Sequence, residues 1–469
     1  MTCLRTSTDA CPLLNEVSLL KHMHLCGFLI AGPVTHSHAI WRNPAGDVPF
    51  LSMNFYREIA TTLERGLFDF VFFADRVGIS DRYGGNLEIG IRYGDQDATR
   101  LDPVPVLGAM SAMTAHIGLG ATRSTTYDQP YNVAREFATL DHISAGRAAW
   151  NVVTSMNDGE AMNFGEVVHM PHDERYDRAD EFMEVAFKLW DSWDPDAMIL
   201  DRSTGVYADP SRVHYINHAG RWFKSRGPLN IPRGPQGRPV IIQAGSSGRG
   251  KAFAARWADV VFTIQQSPKL LQAFCDDVRA SVDGSGRKGS DCKILNAVMP
   301  FVAPTEAEAR EKQRLHNELI NPMVGLSTLS SHVNHDFSLH KLDEPIENVQ
   351  SSGTQGMFAA VMRMTTEQRL TLGDIGKLYA RSVLVPQVVG TPSAVAAELA
   401  RFVDEGGCDG FVITPAFIPE TFADFVDYVV PELQSRGLFR TEYTGATLRD
   451  HLGLGLPASS FLADSPVST

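Results

Sequence analysis

Eight short apolar runs, each closed by turn-forming residues and separated from the next by stretches of helical period, constrain this chain more than any other feature. They are His24–Ile30, Phe68–Asp75, Ile117–Thr125, Ala148–Thr154, Pro239–Ala244, Asp259–Ile264, Lys293–Val302 and Gly410–Pro415. Largely continuous apolar character marks strands covered on both faces, as in a parallel sheet lying under helices. Among the intervening stretches, Phe55–Arg65 stops at Gly66, and Arg178–Trp190 sets Phe182, Val185, Ala186, Leu189 and Trp190 on one stripe. Eight strand–helix units favour closure over an open sheet. The expected fold is therefore α/β, a (β/α)8 TIM barrel with insertions, with its chemistry at the C-terminal ends of the strands.

On this reading residues 23–455 form one barrel domain, preceded by a leader, 1–22, and followed by a tail, 456–469. The leader has no continuous apolar core, because Arg5, Asp9, Asn15, Glu16 and Lys21 interrupt it, and it is expected to be disordered. Two stretches exceed a minimal barrel. Residues 191–238 carry Trp193 and Trp222 among many Pro and Gly. Residues 304–390 open on a helical stretch, Glu306–Leu319, and continue into a polar run, Ser327–His340, that reads as a loop. That loop, with His316 beside it, is the expected mobile lid.

A net charge of −13 argues against a broad basic face for nucleic acid but leaves room for a phosphorylated small molecule. No segment reaches the roughly 18 uninterrupted apolar residues of a membrane span. The six cysteines contain no CxxC pair, which suggests neither a zinc knuckle nor a disulfide framework and points to a reducing, cytoplasmic setting.

The sharpest local motif is Gln243-Ala244-Gly245-Ser246-Ser247-Gly248-Arg249-Gly250-Lys251, which follows one strand and opens a helix. Strand, Gly-rich loop and helix N-terminus make a phosphate cradle, since backbone N–H groups and the helix dipole favour a dianion and Ser246 and Ser247 add hydroxyls. Gly245 and Gly250-Lys251 have the spacing of a nucleotide-triphosphate loop, but Ala252 stands where that loop needs Ser or Thr for magnesium, which disfavours ATP or GTP hydrolysis. His36-Ser37-His38 follows the first strand with the spacing of a metal-hydrolase site. The lysine, histidine and aspartate partners such a site needs at later strand ends are absent, so these histidines read as substrate-pocket or hydrogen-bonding groups and no metal is expected. In His169-x-x-His172-x-x-x-Tyr176, a helix starting near Asp173 would bring His172 and Tyr176 close to one face, where both could donate to an anion.

Beyond these motifs the chain carries Met23-His24-Leu25-x-Gly27-Phe28, His38-x-x-Trp41-Arg42, Leu63-Glu64-Arg65-Gly66-x-Phe68-Asp69 and Leu140-Asp141-His142-x-Ser144-x-Gly146-Arg147. Trp150-Asn151-x-Val153-Thr154-Ser155, Asn163-Phe164-Gly165, Arg175-Tyr176-x-Arg178-Ala179 and Phe439-Arg440-Thr441-Glu442-Tyr443 follow in order. Over about 23–455 the chain resembles the nitrilotriacetate and dibenzothiophene-sulfone monooxygenase group of the bacterial-luciferase-like superfamily. The resemblance implies a homodimer or homotetramer that binds FMN non-covalently, receives it reduced from a separate NAD(P)H:flavin reductase, and uses O2 to oxygenate a small molecule. It further implies flavin contacts at Asp75, Thr122, Asn151, Thr154, His172 and Tyr176, and a phosphate site at Gly245, Ser246 and Ser247. The cradle follows strand five, whereas many barrels bind phosphate after strands seven and eight. His36, His38 and His332 are candidate catalytic contacts to oxygen or substrate. The aromatic-sulfone branch is nearest by motif, which suggests an apolar, aromatic, sulfone-like or halogenated substrate degraded in catabolism. The alternatives are a non-catalytic flavin-binding relative and a metal-dependent barrel hydrolase.

Overall fold

Strands without a polar face need cover on both sides, and all eight apolar runs obtain it in the computed structural model, which describes residues 22–245, 247–347 and 349–461. The strands are β1 (His24–Ile30), β2 (Phe70–Ala74), β3 (Gly118–Ser124), β4 (Ala148–Val153), β5 (Val240–Gln243), β6 (Val260–Thr263), β7 (Lys293–Val302) and β8 (Gly410–Ile413). Every neighbouring pair is parallel, β1 lies between β2 and β8, and pairing of β6 with β7 closes the cylinder. This is the expected TIM barrel.

Alternation along each strand divides the core in two. Cys26, Phe28, Phe70, Phe72, Ile242 and Phe262 fill the barrel interior, while Leu25, Leu29, Val71, Phe73 and Ile241 face the surrounding helices. Helix and strand approach closely where side chains are small: a Cβ on Gly27 would stand 2.6 Å from Leu63 of the helix Met53–Arg65. Leu63 is fully buried, so Leu63→Ala would cost about 2–5 kcal/mol. Two further helices, α1 (His172–Trp190) and α2 (Gly248–Trp257), bring the sequence motifs to the mouth.

The first long excursion contains two short hairpins, Met198–Asp201 with Val206–Ala208 and His218–Ala219 with Lys224–Ser225. The second returns through a ninth strand, Gln387–Gly390, which pairs with the C-terminal half of β7. Within it the structure corrects the loop reading. Glu306–Glu318 (α3) buries His316, whose Nε2 lies 2.8 Å from the Ser37 hydroxyl. Most of the polar run belongs to a helix, Pro322–Val333 (α4), started by the Asn321 side chain, which accepts from the Met323 N–H. Helix α4 packs along Leu372–Ser382 (α5) so tightly that a Cβ on Gly325 would run into the Gly376 carbonyl. Its hydroxyls are buried and engaged: Ser327 donates to Asp95 at 2.9 Å and Ser331 to Asp97 at 3.0 Å. A polar helix can be core when its partners are carboxylates supplied from elsewhere. Residues 327–333 are thus helix and not the loop expected there.

Residues 1–21, the proposed leader apart from His22, and 462–469 of the tail lie outside the described residues, as do Cys3 and Cys11. Cys26, Cys275, Cys292 and Cys408 are buried. Among the described residues no helix is long and apolar enough to cross a membrane.

Candidate active site at the mouth of the barrel

The Gly-rich loop does what its position between strand and helix dictates. Ser247 caps α2, its hydroxyl accepting from the Gly250 N–H at 3.0 Å, and the Gly245 N–H donates to the Gln243 side chain at 2.6 Å. Among the described residues no group takes the N–H of Gly248 or Arg249, which stand at the positive end of the helix. The loop's cationic side chains are committed elsewhere, Arg249 to Asp177 and Asp180 and Lys251 to Asp277. Anion binding here thus falls to backbone and hydroxyl groups.

From α1, Tyr176 reaches the same point. Its hydroxyl lies beside Thr154 and Ser247, and burial pushes the phenol up, so it remains a neutral donor. A Cβ on Gly250 would lie 2.9 Å from that hydroxyl, so glycine is what allows helix and tyrosine to meet. His172 Nε2 is 3.5 Å from the Ser247 hydroxyl. Thr154, His172, Tyr176, Gly245 and Ser247 are therefore gathered as expected, while Ser246 lies outside the described residues.

Deeper in the barrel, Asn151 donates to the Thr122 hydroxyl at 2.9 Å and Thr122 donates to the Phe73 carbonyl at 2.9 Å. This chain fixes which way the amide points. Asn151 Oδ1 is then a buried acceptor with no partner among the described residues. Below it lies an aromatic floor, with Phe72 ring centroids 5.7 Å from Phe28 and 4.9 Å from Phe262.

Asp75 is placed differently. It follows the end of β2, its carboxylate 3.8 Å from Arg123 and lining a cavity of about 280 Å³ that Thr122 and Ser155 also line. Burial raises it to about 6, against the pull of Arg100 and Arg123. Among the described residues no hydrogen bond joins this carboxylate to Thr122 or Asn151, although it shares a cavity with Thr122.

The three candidate histidines separate. His36 stacks on Phe28 at 4.2 Å, its Nδ1 buried without a partner among the described residues, and burial lowers it to about 3. His332, from α4, bonds Tyr379 through Nδ1, and burial followed by the charge of Arg76 holds it well below its ordinary value. His38 is instead sealed in, with Nδ1 on the Ala380 carbonyl at 3.0 Å and Nε2 on the Thr328 hydroxyl at 2.9 Å.

Behind these rings runs an ion network. Asp97 takes Arg76 at 2.6 Å and Arg100 at 2.7 Å, and although burial alone would raise its pKa, the two guanidinium groups hold it low. Sequence reasoning missed this network, the aromatic floor, and Ser155, which has φ 55° and bonds Ser124 at 2.9 Å. It also missed Arg175, whose Nε is buried and has no partner among the described residues. Ser155 and Arg175 lay inside quoted markers, whereas the floor and the network exist only in three dimensions.

Comparison with known proteins places these features in a group. A family model described as luciferase-like monooxygenase matches residues 35–409. The chain is 50% identical over 445 residues to a dibenzothiophene-sulfone monooxygenase of Rhodococcus erythropolis (strain XP), covering 93% of this chain and 98% of that one. It is 42% identical over 449 residues to nitrilotriacetate monooxygenase component A of Aminobacter aminovorans, covering 94% and 98%. The crystal structure of a riboflavin lyase with modified FMN and riboflavin superposes with a TM-score of 0.87 at 35% identity, covering 93% and 97%.

Proposed function

The chain belongs to the luciferase-like monooxygenase family, and from that premise we propose that it is a two-component oxygenase. In this reading it takes reduced FMN from a separate NAD(P)H:flavin reductase and oxygenates a small apolar, aromatic, sulfone-like or halogenated substrate with O2. The observation that carries it is the set of unspent hydrogen-bonding groups at the mouth. The N–H groups of Gly248 and Arg249, with the hydroxyls of Ser247 and Tyr176, suit a phosphate. The buried acceptor Asn151 Oδ1 suits a ring N–H. A buried polar atom left without a partner is costly, and a ligand that supplies one removes the cost.

Reduced flavin, when bound, supplies the electrons with which dioxygen is activated. The protein's part is to bind, orient and keep water out. Ser247, Tyr176 and His172 would hold the phosphate, while Thr122 keeps Asn151 turned to accept. Phe28, Phe72 and Phe262 give the substrate an apolar floor, which favours an aromatic body over a polycarboxylate. His36 and His332 stay neutral, so they offer hydrogen bonds rather than charge. The dibenzothiophene-sulfone relative supports this substrate class, and the name of the nitrilotriacetate relative, component A, supports a second component.

The test mixes the protein with FMN, NADH, a flavin reductase and candidate aromatic sulfones under air and under nitrogen. Product only under air and only with reduced flavin is expected. Tight FMN binding without product would favour a non-catalytic flavin carrier, and turnover without flavin would favour a hydrolase. The protein alone should not consume NADH, because no G-x-G-x-x-G follows an early strand.

A further inference from the structure

The hydrogens of the His332–Tyr379 pair can be assigned by counting. Tyr379, on α5, is fully buried, and among the described residues its hydroxyl has one partner, His332 Nδ1, at 2.5 Å. A phenol carries one hydrogen, and a neutral imidazole carries one on either nitrogen. If Nδ1 held the imidazole proton, it would donate to the phenol oxygen and leave the phenol hydrogen buried without an acceptor. If the phenol donates to Nδ1, both groups are satisfied and the imidazole proton sits on Nε2. A doubly protonated ring is disfavoured by burial and by Arg76.

Nε2 is the edge of the ring left over. It has no partner among the described residues, and His332 keeps accessible surface while Ser331 and Val333 on either side are buried. The contrast with His38 is instructive. There Nδ1 donates to the Ala380 carbonyl and Nε2 accepts from Thr328, so that ring has the opposite tautomer and both nitrogens are consumed by the fold. His332 is spent on one side only.

We propose that Tyr379 is a positioning residue that locks His332 in its Nε2–H form, creating a fixed, uncharged donor at the mouth. That donor selects substrates bearing an uncharged oxygen acceptor, such as a sulfonyl oxygen, over the same skeleton without it. The substrate half rests on the reading of the mouth as an oxygenase site, and the tautomer half does not. A donor fixed by a buried partner cannot rotate into an acceptor to suit a ligand lacking the oxygen, so that ligand leaves an N–H unpaired.

The full chain, carrying 15N-labelled histidine, tests both halves. In the unmodified protein the His332 signals, identified by their loss in His332→Gln, should show a protonated Nε2 and an unprotonated, hydrogen-bonded Nδ1 throughout pH 6–8. Tyr379→Phe should lose that signature. Equilibrium binding of dibenzothiophene sulfone and of dibenzothiophene, measured without flavin or reductase, should favour the sulfone by about tenfold in the unmodified protein. The ratio should fall to within about threefold in Tyr379→Phe and be partly kept in His332→Gln, whose amide can still donate. A proton on Nδ1 in the unmodified protein overturns the proposal without any variant. An unchanged sulfone preference in Tyr379→Phe overturns it as well. A protein that passes both tests yet forms no oxygenated product would leave this inference standing and defeat the oxygenase reading instead.

Discussion

Two helices border the mouth of this barrel, and they handle polar groups in opposite ways. The N-terminus of α2 offers backbone N–H groups and the shared hydroxyls of Ser247 and Tyr176 to whatever lies in front of it. Helix α4 is richer in Ser, Thr and His, yet Ser327, Thr328 and Ser331 are all tied to Asp95, His38 and Asp97. One helix end keeps hydrogen-bonding capacity in reserve and the other has spent nearly all of it on the fold. A polar residue near a site is therefore weak testimony to function until its partners are counted. Substitutions on the α2 side should alter binding with little effect on folding, and those on the α4 side should do the reverse.

Removing Gly325–Asp336 gives the largest contrast. Because α4 is packed against α5 and the Arg76–Asp97–Arg100 network, this deletion should yield no folded protein by circular dichroism or gel filtration. A folded deletion variant that still bound FMN would erase the distinction between the two helices. Next comes Asp97→Ala, which strands two buried guanidinium groups. It should cost about 3–5 kcal/mol in a urea titration, and a loss below about 1 kcal/mol would mean that the network is ornamental.

On the opposite side, Ser247→Asp should leave the unfolding midpoint close to that of the parent, since aspartate also caps helices. It should weaken FMN on the order of a hundredfold, or roughly 3 kcal/mol, while barely changing riboflavin, because the added carboxylate repels only the phosphate. Equal losses for both ligands would move the phosphate away from this cradle.

The smallest effect is in the pH dependence. His38 titrates near 6.5 in an unfolded chain but is lowered to about 4 here by burial, so the folded state binds fewer protons between those values. Its contribution is fully present above pH 6.5 and is lost as pH falls toward 4. Between pH 7 and 5.5 that amounts to about 1 kcal/mol, and His38→Gln should make the fall in stability shallower by that much. An unchanged slope would show that His38 titrates no lower in the fold than in the unfolded chain.

The same contrast explains what could be read without a structure. All eight strands were legible because each is a local apolar run, and the cradle was legible because strand, loop and helix are consecutive. Helix α4 was not, since Ser327 and Ser331 look solvated until Asp95 and Asp97, more than 230 residues earlier, are placed against them. Gathering Thr154, His172, Tyr176 and Ser247 followed from motif order. The sealing of His38 depended on partner helices that no local pattern announces.

The ninth strand has a consequence for how such an enzyme diversifies. Strand β7 uses residues 293–298 to close the barrel and residues 299–302 to hold Gln387–Gly390, so the chain departs from and returns to the same strand. Everything between leaves and rejoins the barrel at one strand, and reaches out from there to Ser37, His38, Asp95 and Asp97. Lengthening it adds only about 0.6 kcal/mol of closure entropy per doubling, and no barrel strand need shift to accommodate it. A histidine-bearing helix such as α4 can thus change only together with the carboxylates and the histidine that receive its hydroxyls, while the cylinder beneath keeps its register.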